Sequence, residues 1–371
     1  MKMKDLKKII TQKIISSGFD TVGFSIPEVN STTKQRYQEF LSKNYHAEMK
    51  WLERHYEKKI NPKKVWDKVE TIIVIGLNYT PRNNPLVLNN IKDFANISVY
   101  AQNIDYHKII KEKLSKIQLW FKKTYNLETK TFVDTSPILE KYFAEKSGIG
   151  WQGKHTNIVS RNFGSWLFLA EIFLPIKIPF KKKSIDGCGS CIKCLQICPT
   201  DALLDNYKID SKRCISYLTI ENKGPIPISL RKKIGNKIYG CDDCLSICPW
   251  NKFSSETTEV KLQSSIESKT LSFFLEFNKD KFQKYFFKSP IKRIGWIRFL
   301  RNVIIAAGNS ENKNLIKYLY IHLKNESSLI RGSCVWSLFQ LINQKEKKKL
   351  KKMILETETN KYVLFELGMI C

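Results

Sequence analysis

The chain has 371 residues, 63 of them Lys or Arg against 35 Asp or Glu, for a net charge of +28 at neutral pH; 42% are hydrophobic and 12% aromatic. This apolar content excludes global disorder, and the length suits two or three domains. No run of about 18 apolar residues occurs, which excludes a membrane span.

Near the N-terminus, MKMKDLKKIITQKIISSGFD lacks an apolar signal core and a small-residue cleavage site. Leu6, Ile9, Ile10 and Ile14 instead recur at helical spacing, with Gly18 able to end the helix. We therefore expect a cytosolic protein whose thiols are reduced, so that clustered cysteines read as metal ligands rather than disulfides. FDTVGFSI is a predicted strand, Thr33 to His55 a helix, and TIIVIGLNY a nearly unbroken apolar strand of the kind buried on both faces. Residues 104–126 are an amphipathic helix, and TKTFVDT is a strand ending at Asp134. SPILEKYFAEKSG is a predicted helix with Ser136 as N-cap, Pro137 at its first position and Gly148 near its end. GIGWQGKHTNIVSRNFGSWLFLAEIFL is a glycine-rich loop feeding a β-rich segment.

From residue 178 the chain is lysine-rich, then cysteine-rich to residue 252, and SSETTEVKLQSS is a polar linker. From residue 267 onward it is helical. There FLRNVIIAAGNSENKNLIKYLYIHLKN and LIRGSCVWSLFQL resemble successive α-solenoid units.

The positive excess favours polyanions, nucleic acid first and an anionic membrane surface second; lysine accumulation in an AT-rich genome would also produce it. Basic residues gather at Lys177 to Lys183, Arg231 to Lys237, Lys279 to Arg301 and Lys345 to Lys352. Between Lys281 and Arg301 the residues Phe282, Tyr285, Phe286, Phe287 and Trp296 interleave with the charges. That pattern suits a phosphate-tracking surface, and equally a core.

Eight of the ten cysteines lie between 188 and 248. Cys188, Cys191, Cys194 and Cys198, followed by Pro199, have the bacterial ferredoxin spacing for [4Fe–4S] clusters, in which the fourth Cys crosses to a second cluster. Cys241, Cys244 and Cys248, followed by Pro249, repeat the pattern with Ile238 where a further Cys would stand; Cys214 is the remaining cysteine in the window. The crossing rule assigns Cys188, Cys191, Cys194 and Cys248 to one cluster and Cys198, Cys214, Cys241 and Cys244 to the other. Zinc is the alternative, and it fits two consecutive C-x2-C steps followed by x3-C-P poorly. Cys334 and Cys371 read as ordinary buried or terminal thiols.

Two clusters form a one-electron relay, so a second redox centre or substrate site is expected elsewhere in the chain. There is no P-loop, and the run Gly148 to Gly153 is one residue short of a dinucleotide fingerprint and follows a helix. Asp105 and His107 match the start of D-x-H-x-x-G, but Ile110 occupies the glycine position, so no axial histidine is assigned.

VDTSPILEKYFAEKSGIGWQGKHTNI, the double cysteine set, RCISYLTIENKGPIP and GCDDCLSICPWNKF together resemble epoxyqueuosine reductase, and SVYAQNIDYHKIIKEKL and FLRNVIIAAGN extend the resemblance over nearly the whole chain. It implies an α+β multidomain protein. An α/β cobalamin-binding domain related to reductive dehalogenases would span 1–177, a ferredoxin-like domain with two [4Fe–4S] clusters 178–255, and a HEAT-like helical, tRNA-contacting domain 256–371. The implied reaction reduces the epoxide of epoxyqueuosine, at the tRNA wobble position, to the alkene of queuosine, with two electrons, two protons and loss of water. One cobalamin fed by the clusters is the implied reductant, and an unidentified low-potential donor loads them.

Asp134 matches the family's proton donor, and its place at the end of TFVD suggests partial burial. Tyr100, Asp134, Asn157, Ile158, Leu169, Ser216 and Asp242 are the implied cobalamin contacts. Lys281, Arg293 and Arg298 are the implied contacts to the anticodon loop, from which the modified base would be splayed out. The expected state is a monomer with no membrane contact. Two positions depart from the family: Glu57-Lys58-Lys59 stands where an Arg is usual, and His155 where Asn is. The rival readings are a corrinoid reductive dehalogenase, typically exported with a twin-arginine leader that this sequence lacks, and a non-catalytic ferredoxin-like carrier with a nucleic-acid-binding tail.

Overall fold

The computed structural model describes residues 3–180, 184–205, 207–263 and 268–368. Lys181 to Lys183, the Ser264–Ser265 end of the predicted linker, and Cys371 lie outside the described residues. The chain packs into two units, each built from three segments. Met1–Asn83, Ile104–Lys212 and Asp243–Gln263 make the first, and Asn84–Asn103, Arg213–Asp242 and Ser264–Cys371 the second. The linear division at 178 and 255 is thus crossed by the packing: residues 213–242 fold with the helical tail and the flanking cysteine segments with the N-terminal sheet.

In the first unit we label α1 (Met3–Ser16), β1 (Thr21–Ser25), β2 (Thr71–Asn78), α2 (Tyr106–Tyr125), β3 (Lys130–Phe132), α3 (Glu140–Ser147) and β4 (Leu167–Leu174). The four strands form one antiparallel sheet in the order β1-β2-β4-β3. Every residue of β2 is buried. Ile72 and Val74 pack in one core cluster with Phe173 and with Phe143 and Ala144 of α3, and the residues of opposite parity, Ile73, Ile75 and Leu77, are buried too. That two-sided burial is why TIIVIGLN is a continuous apolar run rather than an alternating one. α3 lies very close to β1: a Cβ on Gly23 would stand 2.5 Å from Ser147 Oγ and 2.7 Å from the Ser147 carbonyl oxygen.

Two helix expectations need correction. The stretch Thr33 to His55 is broken. Ser31–Ser42 is followed by Asn44 and Ala47 at φ 52° and 53°, and helix resumes only in Trp51–Arg54 and Tyr56–Ile60. Asn44 takes the left-handed stop conformation that glycine usually supplies. The helix expected from Pro137 begins instead at Glu140, with Leu139 as an N-cap that makes no side-chain bond. Residues 133–139 form tight turns closed by Thr135 N–H to Val133 O and Ile138 N–H to Ser136 O. Gly148, at φ 84°, ends the helix as expected.

In the second unit, Asn96–Ile97 pairs in parallel with Lys237–Tyr239. α4 (Gly295–Asn309), α5 (Ser328–Leu341) and α6 (Lys361–Glu366) pack in succession, α5 lying against both neighbours. Two buried guanidiniums brace this unit. Arg301 donates to the carbonyls of Leu218, Asn222 and Gly224, and Arg231 pairs with Glu366 through two bonds of 2.8 and 2.6 Å. Phe282 and Phe286 belong to the core, while Tyr285 and Phe287 are exposed, so the aromatic run among the charges is divided between core and surface. Among the described residues no helix is long and apolar enough to cross a membrane.

Candidate active site

Asp134 follows the edge strand β3, which leaves it beside the starts of both α2 and α3. Its backbone is left-handed, φ 51°, which costs a non-glycine residue about 1–2 kcal/mol. The turn is held by its own N–H, which donates to Glu140 Oε1 at 2.6 Å. Asp134 therefore does not cap α3; the first residue of α3 holds Asp134.

The Asp134 side chain is 50% exposed, more open than its place at the end of an apolar strand suggested. Oδ2 accepts Tyr106 Oη–H at 2.8 Å and faces His107 Nε2 at 3.0 Å, while His107 Nδ1 meets Asp105 Oδ1 at 2.7 Å. Tyr106 is fixed by stacking on Phe168, ring centroids 4.1 Å apart. Burial disfavours a charged His107, but the bonds to Asp105 and Asp134 outweigh it and push the imidazolium pKa up to about 9. Asp134 thus sits against a proton-bearing group.

Behind the turn are two further carboxyls. Glu171, in the middle of β4, is 0% exposed, and neither carboxyl oxygen makes a well-formed hydrogen bond. Burial, and then the neighbouring Glu140 and Asp134 carboxyls, push its pKa well up. Glu140 is raised as well, first by desolvation and then by Asp134, against the lowering effects of the Asp134 N–H and Lys59. Lys59 faces all three carboxyls, and its half-buried position lowers its own pKa against their pull. The lysine noted in sequence as a departure from an expected Arg is therefore the counter-charge of this cluster.

Three other predicted residues gather at the same end of α3. Asn157 Oδ1 accepts Lys141 Nζ at 2.8 Å. Ile158 is buried in the core cluster that contains Ile138, and Leu169 packs against that cluster while remaining partly exposed. The β3–β4 register ends at Phe132 paired with Glu171, two residues along β4 from Leu169. His155, read in sequence as a loop residue, is 2% exposed. Nδ1 accepts the Asn157 N–H at 3.1 Å, which leaves Nε2–H to donate to Ser165 Oγ at 3.3 Å; burial and then Lys141 push its pKa down to about 4.

In the cysteine segment of the same unit, the four thiols of the first predicted set share one neighbourhood. Burial raises the Cys194 thiol, and Cys188, Cys248 and Cys191 raise it further, to about 11. Cys191 acts in the same way on Cys248. These thiols are thus close enough to penalise one another's ionisation, and among the described residues no group of three or more His, Cys, Asp or Glu is drawn together as a metal site. Trp151 Nε1–H donates to Cys188 Sγ at 3.4 Å, and Arg161 lies over the rings of both Trp151 and Trp250. Of the second set, Cys198 and Cys244 belong to the first unit and Cys214 and Cys241 to the second. Cys334 is fully buried in α5.

Tyr100, Ser216 and Asp242 belong to the second unit, where Asp242 accepts Ser98 Oγ–H at 2.6 Å and Val99 N–H at 2.8 Å. Ser216 is half-buried in the helix Ile215–Ile220, and Tyr100 lies against Tyr239. Lys281 Nζ stands over the rings of Phe277 and Phe273, and exposed Arg293 pairs with Glu221 at 3.0 Å. The Arg298 guanidinium donates to Ile294 O and Ile220 O. Arg298 also lines an open groove of about 1120 Å³ together with Lys223, Lys279, Trp296 and Lys324.

Sequence reasoning weighed His107 only as an axial ligand and did not single out Tyr106, Glu140 or Glu171 as site residues. One available signal was the lone Glu in LFLAEIFL, a charge in a strand otherwise fit for complete burial.

Residues 187–251 match the family model of a 4Fe-4S double cluster binding domain, and residues 59–135 that described as epoxyqueuosine reductase QueG, DUF1730. The chain is 37% identical over 348 residues to epoxyqueuosine reductase of Escherichia coli strain K12, covering 92% of this chain and 91% of that one. A crystal structure of epoxyqueuosine reductase with an epoxyqueuosine-modified tRNA-Tyr stem loop superposes with TM-score 0.90 at 26% identity, over 99% of this chain and 98% of that one. The Bacillus subtilis epoxyqueuosine reductase, solved with its catalytic aspartate loop swung out of the active site, superposes with TM-score 0.86 at 26% identity, over the same shares. With this extent of identity to an oxidoreductase along nearly its whole length, the chain belongs to the epoxyqueuosine reductase family.

Proposed function

We propose that the protein reduces the epoxide of epoxyqueuosine in tRNA to the alkene of queuosine, with Asp134 as the proton donor. The observation that carries this reading is the convergence, in a chain of this family, of Asp134 with Tyr106, His107 and Glu140 on a strained turn. Opening an epoxide and expelling its oxygen as water consumes two electrons and two protons, and an alkoxide leaves poorly unless protonated. Asp134 Oδ2 takes a proton from His107, held as imidazolium by Asp105, and passes it to the departing oxygen; the second proton follows the same path once His107 regains one from solvent. Tyr106 Oη–H orients that same oxygen.

The residues present fit the cofactors the reaction requires. Cobalamin would supply a low-valent cobalt reductant, and two [4Fe–4S] clusters the single electrons that renew it. Partly exposed Leu169 and Asn157 offer an apolar and an amide contact for a corrin, with Ile158, Tyr100, Ser216 and Asp242 as further contacts carried by the family resemblance. The first cluster falls to Cys188, Cys191, Cys194 and Cys248, and the second to Cys198, Cys214, Cys241 and Cys244. Lys281, Arg293 and Arg298 contact the anticodon loop, a reading favoured by the basic groove at Arg298. The test is to incubate anaerobically purified, cluster-loaded protein with cobalamin and remove free corrinoid by gel filtration. Retention of stoichiometric corrinoid, and conversion of epoxyqueuosine tRNA only by the retained complex, is the expected result. Two clusters with no corrinoid retained would overturn the reading.

A further inference from the structure

We propose that Glu140 and Glu171 share one proton behind the Asp134 turn, Glu171 as the neutral acid and Glu140 as the carboxylate, and that this arrangement positions Asp134. The inference rests on the proposed role of Asp134 and adds two positioning residues to it.

Glu171 is fully buried mid-strand, with no well-formed hydrogen bond to either oxygen, so an ionised carboxylate there would be desolvated and uncompensated. Glu140 has a donor that favours its charge, the Asp134 N–H at 2.6 Å, and Lys59 stands opposite. The charged and titratable groups facing the pair are Lys59 from the helix Tyr56–Ile60 and Asp134 from the turn after β3; His107 and Asp105 lie beyond Asp134. Lys59, with the His107 imidazolium already shared between Asp105 and Asp134, cannot balance three carboxylates at such range, and retaining one proton on the pair removes the excess. The directions of titration agree: both carboxyls are raised.

The consequence is a grip on Asp134 that depends on protonation. With Glu140 ionised, the bond to the Asp134 N–H is charge-assisted and holds the left-handed turn. When Glu140 takes up a proton from solvent below neutral pH, the bond becomes an ordinary neutral one. The difference predicts a decline in kcat/KM of about tenfold from about pH 8 to 6.

Two variants and two readouts test this. Infrared spectroscopy of the cofactor-free protein at neutral pH should show a protonated-carboxyl C=O band that Glu171→Gln abolishes and Glu140→Gln retains. The acid limb of kcat/KM should persist in Glu171→Gln, where a neutral donor still faces Glu140, and vanish in Glu140→Gln, whatever the maximal rates. A band that survives Glu171→Gln, or an acid limb that survives Glu140→Gln, would overturn the proposal. The infrared readout needs neither cobalamin nor tRNA, so it reports on the shared proton even if the proposed reaction fails.

Discussion

Replacing Asp134 with Asn separates the transferable proton from everything else the residue does. Asparagine has the same shape, and its carbonyl oxygen can still accept Tyr106 Oη–H, which reaches Asp134 at 2.8 Å. The backbone N–H bond to Glu140 is untouched by the change. What disappears is the capacity to take up and pass on a proton, together with the ion pair to His107. Because the Asp134 side chain is 50% exposed, that pair contributes only about 0.2–1 kcal/mol to stability after solvent screening. A positioned general acid, by contrast, contributes about 10²–10⁴ in rate, or roughly 3–5 kcal/mol of barrier. The catalytic effect should therefore exceed the structural one several-fold. The assay is a single turnover of an epoxyqueuosine-bearing stem loop under anaerobic conditions, with iron and corrinoid content measured on the same samples. Asp134→Asn should keep both cofactors and slow the reaction at least about a hundredfold. A rate within about tenfold of wild type, at equal cofactor content, would refute the proton-donor role.

Cys214→Ala should leave about four of eight irons, with the first cluster's EPR signal intact; undiminished iron would mean the second ligand set is misassigned. Glu366→Gln leaves the Arg231 guanidinium buried with a neutral partner, both side chains being at most 2% exposed. The expected loss of about 3–5 kcal/mol should appear as a lower midpoint for the helical signal in thermal or urea unfolding. His107 has a folded pKa raised from 6.5 to about 9, so its stabilising contribution is fully present below pH 6.5 and lost as pH rises through 9. His107→Asn should flatten that part of the stability–pH curve, as measured by urea titration at successive pH values. Lys281→Ala should weaken stem-loop binding and reduce the slope of log K against log salt by about 0.7–0.9, the share of one phosphate contact.

The strands, the long amphipathic helix α2 and the cysteine framework were legible in sequence because each rests on a local period or spacing. TIIVIGLN needs no partner to read as a buried strand. The site was legible only in part. Asp134 stood out through its family string, but its neighbours come from four separated segments: Lys59, Tyr106 with His107, Glu140, and Glu171. The packing of three helices around the strand that carries Glu171 brings them together, and no local pattern encodes that packing. Pro137 and Ser136 look like a helix start, yet the chain spends residues 133–139 in turns, because the Asp134 amide is held by the Glu140 side chain. The crossing of residues 213–242 into the helical unit is likewise a long-range outcome. Asn302 accounts for part of it, donating to Thr219 O and Ile238 O at 2.8 and 2.9 Å.

The most direct test of the proposed reaction is nucleoside mass analysis of tRNA after incubation with the wild-type protein, reconstituted with iron, sulfide and cobalamin and supplied with a low-potential reductant. The proposal predicts that epoxyqueuosine is converted to a product lighter by one oxygen atom, with the chromatographic behaviour of queuosine, and that omitting cobalamin abolishes the conversion. Unchanged epoxyqueuosine in the presence of a fully loaded protein would contradict it.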